Sequence, residues 1–328
     1  MSAPDRSLLL ACGRHTVAHA VSLGLDRAGV PEGARALVAA SGGADSTALL
    51  AACAGLRGRG RVEPVAGHVD HGLRPDSALD AECAAEAASR LGIAFEARSP
   101  SIAPGPGSAA RARDARYAAL ASMARAAGCG VVLLAHHADD QAETVLLALA
   151  RGAGLAGIGG MPSRRAIEPG IDAVRPCLRM PREDLRGACV ALGVRWREDP
   201  TNARADLPRG RVRHAAMPEL EAIAPGAARR IARAAEVARL GDALLRSHLE
   251  AMRSADGSFA RASLRGAPPA LAAAAVRLLA GDRMDDAAAW QAADCACAAS
   301  TDPRRFALDD GTELVVDAHA VRVRPGQG

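Results

Sequence analysis

Ser41-Gly42-Gly43-Ala44-Asp45-Ser46 follows the apolar run Ala36 to Ala40 and opens a helical stretch reaching about Leu56. A strand, a glycine-rich turn and a helix, in that order, make a place for phosphate. Two glycines let the backbone approach a ligand closely and adopt dihedrals closed to other residues. Free N–H groups at the helix start, the helix dipole and two serine hydroxyls supply the donors. Asp45, an acid inside an anion site, makes sense as the holder of Mg²⁺ against the phosphates. The hexapeptide is neither a Walker loop, lacking Gly-Lys-Ser/Thr, nor Gly-x-Gly-x-x-Gly.

Outward from this loop, the first half of the chain alternates strands with helices. Val62 to Val69, Ala94 to Arg98, Val131 to Ala135 and Ala173 to Cys177 read as further strands. Helices are expected from Ser77 to Leu91, Ser108 to Ala127, Asp139 to Arg151 and from Pro181 onward. Such alternation predicts an α/β fold, a five-stranded parallel sheet flanked by helices, with ligands at the carboxyl ends of the strands. After about residue 220 the pattern changes. Helices are expected over Ala227 to Met252 and Ala270 to Leu279, then a hairpin turning at Asp310-Gly311. The expected organisation is a catalytic domain over 1–220 and a linker helix with a small α+β domain over 221–328.

All 41 basic residues among the 328 are arginine, against 37 acids, giving a net charge of +4. Residues 164–230 carry +5 of their own, which reads either as a solvated surface or as a patch for a polyanion. With only six aromatic side chains, nucleic acid would be met through arginine and phosphate rather than by base stacking. No apolar run approaches the ~20 residues that span a bilayer, and no export signal is read at the start, so the expected location is the cytoplasm. The eight cysteines lack Cys-x-x-Cys spacing and read as small buried hydrophobes.

Several polar clusters fall at strand ends. His68, Asp70 and His71 close the second strand and would shape the nucleotide pocket or handle protons. Asp139, Asp140 and Glu143 lie at the start of a helix, where acids also serve the dipole. Three acids exceed that need and suit an ammonium group, with His137 placed to take up a proton. Arg113 and Arg116 stand one turn apart beside Tyr117. Arg209, Arg211 and Arg213 alternate before the next helix and suit bidentate phosphate contacts.

The hexapeptide resembles the pyrophosphate loop of the N-type ATP pyrophosphatases. Four further segments make the chain similar to the tRNA(Ile)-lysidine synthases across residues 35–220. They are His68 to Arg74, Ala112 to Tyr117, His136 to Thr144, and Asp199 to Asn202 leading to Arg209 to Arg213. The family usually has Arg-Asn where this chain has Arg209-Gly210.

The resemblance implies an adenine nucleotide alpha hydrolase-like fold. It implies ATP and Mg²⁺ as requirements, and free lysine and the isoleucine tRNA with a CAU anticodon as partners. The implied reaction is ligation of lysine to the second ring carbon of the wobble cytidine through an adenylated intermediate. On this reading Ser41 to Ser46 and His68 bind ATP, and Asp45, Arg113, His137 and Asp140 are catalytic. Asp139, Asp140 and Glu143 would receive lysine, and Arg209, Arg211 and Arg213 would meet tRNA or the AMP or pyrophosphate group. A tRNA thiolase or a small-molecule amide-forming ligase is the alternative, and a homodimer is left open.

Overall fold

The computed structural model describes residues 5–70, 77–100, 108–198 and 205–326. His71 and the Asp199 to Asn202 segment lie outside the described residues. The chain divides into two compact units, Met1–Ala148 with Gly160–Glu236, and Leu149–Gly159 with Val237–Gly328.

The first unit opens with α1 (Arg6–Arg14) and α2 (Thr16–Arg27), then alternates strands and helices. These are β1 (Ala34–Ala39), α3 (Ala44–Arg57), β2 (Val62–Val69), α4 (Ser77–Arg90), β3 (Phe95–Arg98), α5 (Ser108–Ala126), β4 (Val131–Leu133) and α6 (Ala138–Ala150). After the short α7 (Leu155–Ile158) come β5 (Arg164–Glu168), β6 (Ile171–Val174) and α8 (Arg182–Leu192). The chain continues through α9 (Pro208–Arg211), a π-helical turn over Val212–Ala216, α10 (Met217–Ile223) and the long α11 (Ala227–Met252).

The sheet order is β3-β2-β1-β4-β6-β5. The first five are parallel, as expected. The sixth, β5, is antiparallel to β6 and was not foreseen. Arg164-Arg165-Ala166-Ile167-Glu168 carries no apolar alternation because it forms a largely exposed edge. Alternate residues of β1 face opposite cores. Ala36, Val38 and Ala40 pack with α1, α2, α3 and α8, while Leu37 and Ala39 pack with α5. The chain order reverses between β1 and β4, so the crevice at their carboxyl ends is the switch point where such sheets bind ligands.

Among the described residues no single helix is long and apolar enough to cross a membrane. The bent pair α1 and α2 is apolar because Leu8, Cys12, Val17, Val21 and Leu25 belong to the core. Cys12, Cys53, Cys177 and Cys189 are buried in that core as well, and burial pushes the Cys53 thiol up to about 12.

The second unit adds β7 (Phe259–Ala260), α12 (Arg261–Arg265), α13 (Pro269–Ala280), α14 (Asp286–Cys297), β8 (Arg304–Ala307), β9 (Thr312–Val316) and β10 (Ala320–Pro325). Its antiparallel sheet runs β7-β10-β9-β8. Phe259, Leu264, Val276, Leu314, Val316 and Val321 form its core.

Candidate active site

The loop after β1 is set by hydrogen bonds of its own. Ser46 Oγ receives the Ser41 N–H at 3.1 Å and donates to the Gly43 carbonyl at 3.0 Å. The Ser41 and Ser46 hydroxyls are 3.0 Å apart. Gly42 has φ +82°, and a Cβ there would lie 2.5 Å from the Asp80 carbonyl oxygen. Only glycine meets both demands. Gly43 caps α3 without a side chain, so no capping side chain occupies the first N–H groups of that helix. The Arg197 N–H donates to the Gly42 carbonyl at 2.9 Å, and its guanidinium pairs with Asp80 at 2.9 Å, tying the chain after α8 to the loop.

A cavity of about 290 Å³ opens over this loop, lined by Ser41, Gly43, Asp45, Ser46, Arg116, His136, Asp140 and Arg182. Asp45 Oδ1 is buried with no hydrogen-bond partner among the described residues. An unpartnered buried carboxylate oxygen is a ligand suited to a hard cation, so Asp45 fits Mg²⁺.

His137, 3% exposed, is the centre of the acidic cluster. Its Nε2 lies 3.4 Å from Asp140 and 3.6 Å from Asp45, and its Nδ1 lies 3.6 Å from Asp139. Burial alone would lower its pKa. Partnership with Asp139 and Asp45 and the charge of Asp140 overturn this and push it up to about 10. These carboxylates favour the imidazolium form of His137, in which both ring nitrogens donate. Burial would raise both acids, yet His137 holds Asp139 and Asp140 below the usual carboxylate range. Asp139 also accepts the Arg182 N–H at 2.9 Å, which fixes the start of α8 to the start of α6.

The neighbouring His136 behaves oppositely. Burial, with Arg175, Arg116 and Arg209 opposing protonation, drives it down to about 3 despite Asp140. Its Nδ1 is buried without a partner.

Glu143 is 2% exposed and closed off. Arg209 Nε and Arg213 Nε each donate to one of its oxygens at 2.6 Å, and Arg209 also reaches Asp140 at 2.9 Å. Positions 209 and 213 share one face of the α9–π segment, and Arg211 is exposed on another. Two of the three arginines assigned to phosphate are therefore paired with the acids assigned to lysine. His68 is buried, its Nδ1 2.7 Å from the Ala40 carbonyl, and it fixes the ends of β1 and β2 rather than lining the cavity.

On α5 the structure places Arg116, not Arg113, against the cavity. Arg113 is exposed beside Tyr117, its guanidinium carbon 5.8 Å from the ring centre. Sequence reading weighs Arg113 and Arg116 together and assigns the role to Arg113; His136, Arg182 and Arg197 are lining residues to which it gives no role. The adjacent pair His136-His137 and the spacing of Arg113 and Arg116 were the available signals.

A family model for the PP-loop domain matches residues 18–220. A tRNA(Ile)-lysidine synthase of Salinispora arenicola is 41% identical over 250 residues, 74% of each chain. The chain belongs to the tRNA(Ile)-lysidine synthase family. A second relative of that name, from Streptomyces coelicolor, is 40% identical over 249 residues, 74% of this chain and 70% of that protein. Like other tRNA(Ile)-lysidine synthase family members, the chain is an ATP-using ligase. Among solved structures, the U34-tRNA thiolase of Methanococcus maripaludis with its [4Fe-4S] cluster matches with a TM-score of 0.56 at 18% identity. The match covers 67% of this chain and 76% of that one, a likeness of fold.

Proposed function

We propose that this enzyme joins free lysine to the wobble cytidine of the isoleucine tRNA with a CAU anticodon, acting in the cytoplasm. The supporting observation is that the Ser41 to Ser46 loop and Asp140 of α6 line one cavity. In the first step the cytidine O2 attacks the α-phosphorus of ATP. A P–O bond forms, and the bond to pyrophosphate breaks. In the second step the lysine amine bonds to ring carbon 2, the carbon–oxygen bond breaks, and AMP leaves with that oxygen.

The loop N–H groups and serine hydroxyls would hold the phosphates. Asp45 would hold Mg²⁺, whose chemistry would be to offset negative charge on phosphate. Arg116 and the protonated His137 place further positive charge at the cavity. Glu143 is taken up by Arg209 and Arg213, which leaves Asp139 and Asp140 as the α6 carboxylates suited to an ammonium group. Asp139 is the more open of the α6 acids, at 33% side-chain exposure. We assign it and Asp140 to lysine, and Glu143 to holding Arg209 and Arg213.

Pyrophosphate release by the purified chain tests the reading. Release from ATP that requires both this tRNA and Mg²⁺ is the expected result. Release without any tRNA would overturn it in favour of a small-molecule ligase.

A further inference from the structure

Since Arg209 and Arg213 are paired with acids, the cations left over lie elsewhere. Arg113 and Arg116 on α5, Arg165 on β5 and Arg175 just after β6 converge around Tyr117. The guanidinium carbon of Arg165 is 5.0 Å from its ring centre and that of Arg113 is 5.8 Å away. Arg175 donates to the Tyr117 hydroxyl at 3.2 Å. None of the four arginines makes an ion pair with a carboxylate among the described residues.

Four like charges gathered without an acid repel one another, and an arriving anion relieves that repulsion. Unpartnered polar atoms sit in the same place. Arg175 is 2% exposed and its Nε has no partner. The buried Nδ1 of His136, which lines the cavity beside Arg116, has none either. Burial also lowers the pKa of both Arg116 and Arg175, a sign of uncompensated charge.

We propose that the Arg113, Arg116, Arg165 and Arg175 cluster around Tyr117 is a subsite for a backbone phosphate of the RNA substrate. It rests on the reading of an RNA substrate given above. The anion could instead come from the nucleotide. Two features favour a polymer. Arg113 and Arg165 are exposed outside the cavity, where a chain can continue, and Arg116 links them to the cavity itself. Guanidinium forks suit phosphodiester oxygens, and Tyr117 holds two of the forks by cation–π contact.

The test uses the full chain and its R113Q, R165Q, double and R165K variants. Fluorescence anisotropy gives the Kd for unmodified tRNA(Ile) with a CAU anticodon across a salt series. Pyrophosphate release gives the KM for ATP. Both substituted positions are exposed, and unchanged thermal melting confirms the fold. We expect the double variant to bind RNA about tenfold more weakly, with the salt slope reduced by roughly one per arginine removed. R165K keeps the charge and most of the slope. The KM for ATP stays within about twofold.

Unchanged RNA affinity and slope would overturn the proposal. So would a rise in the KM for ATP alone, which would assign the cluster to the nucleotide. If the wild type transfers lysine while the variants bind RNA normally, the subsite fails and the lysidine reading stands. If RNA binding depends on these arginines but no lysine is transferred, the lysidine reading fails and the subsite stands.

Discussion

His137 shows how a residue's neighbours decide its chemistry. Three carboxylates hold it as a cation with a pKa of about 10, raised from 6.5. A raised pKa means the folded state binds the proton more tightly than the unfolded chain does. That stabilisation is complete below about pH 6.5 and is lost as pH rises through about 10. The stability difference between wild type and His137→Gln should therefore be level just below pH 6.5, while Asp139 and Asp140 stay ionised, and shrink as pH rises toward about 10. Urea unfolding at pH 6, 8 and 10 checks this, and a pH-independent difference would contradict it. Asp139→Asn should bring the His137 titration down, as read from its imidazole NMR shift. Gly42 makes a second case. Gly42→Ala adds strain of about 1–3 kcal/mol at φ > 0 as well as a clash with the Asp80 carbonyl, so the loop must shift. ATP binding by calorimetry should weaken at least about tenfold while circular dichroism keeps the native spectrum.

At the scale of elements, two arginine clamps hold segments that have little apolar surface of their own. Arg261, 2% exposed, donates to the carbonyls of Cys295, Ala296, Ala298, Ser300 and Asp317 and has no carboxylate partner among the described residues. It ties the negative end of α14 to the β9–β10 turn. Arg261→Ala should lower the stability of the small unit by about 3 kcal/mol or more, because several buried acceptors lose their donor at once. Arg261→Lys should recover little of this, since one ammonium lacks the planar fork. Guanidinium unfolding measures both. Glu143 holds the α9–π segment to α6 in the same way. Glu143→Gln removes the charge between two guanidiniums, and a loss of about 3 kcal/mol is expected in thermal melting. The elements legible in sequence were those with a strong apolar rhythm or a clear turn: β1 to β4, β6, α3 to α6, α8, α11, α13 and the β8–β9 hairpin. Edge strand β5 was not, because an exposed edge imposes no alternation on its residues. Helices α1 and α2 pack their apolar faces on α3, a partner that a linear reading does not supply.

Over the whole molecule, the β1–β4 switch point gathers residues that are far apart in the chain. Asp45, Arg116, Asp140 and Arg197 share one cavity because α3 and α6 begin at that crevice, the segment after α8 returns to it and the middle of α5 faces it. Residue types at strand ends made the position of this site legible in advance. Its internal pairing was not, since Arg209 and Glu143 stand 66 positions apart and a sequence shows acids and bases without showing which are already paired. The same limit left open which of Arg113 and Arg116 faces the cavity, because a helix face is fixed only by packing. On the proposed function, this one cavity couples ATP cleavage to lysine transfer. The most direct measurement follows AMP formation and radiolabelled lysine on tRNA in the same reaction, with the CAU anticodon and with another. One AMP is expected for each lysine bound, and neither product with the other anticodon. AMP formed without lysine becoming tRNA-bound, when lysine is saturating, would contradict it.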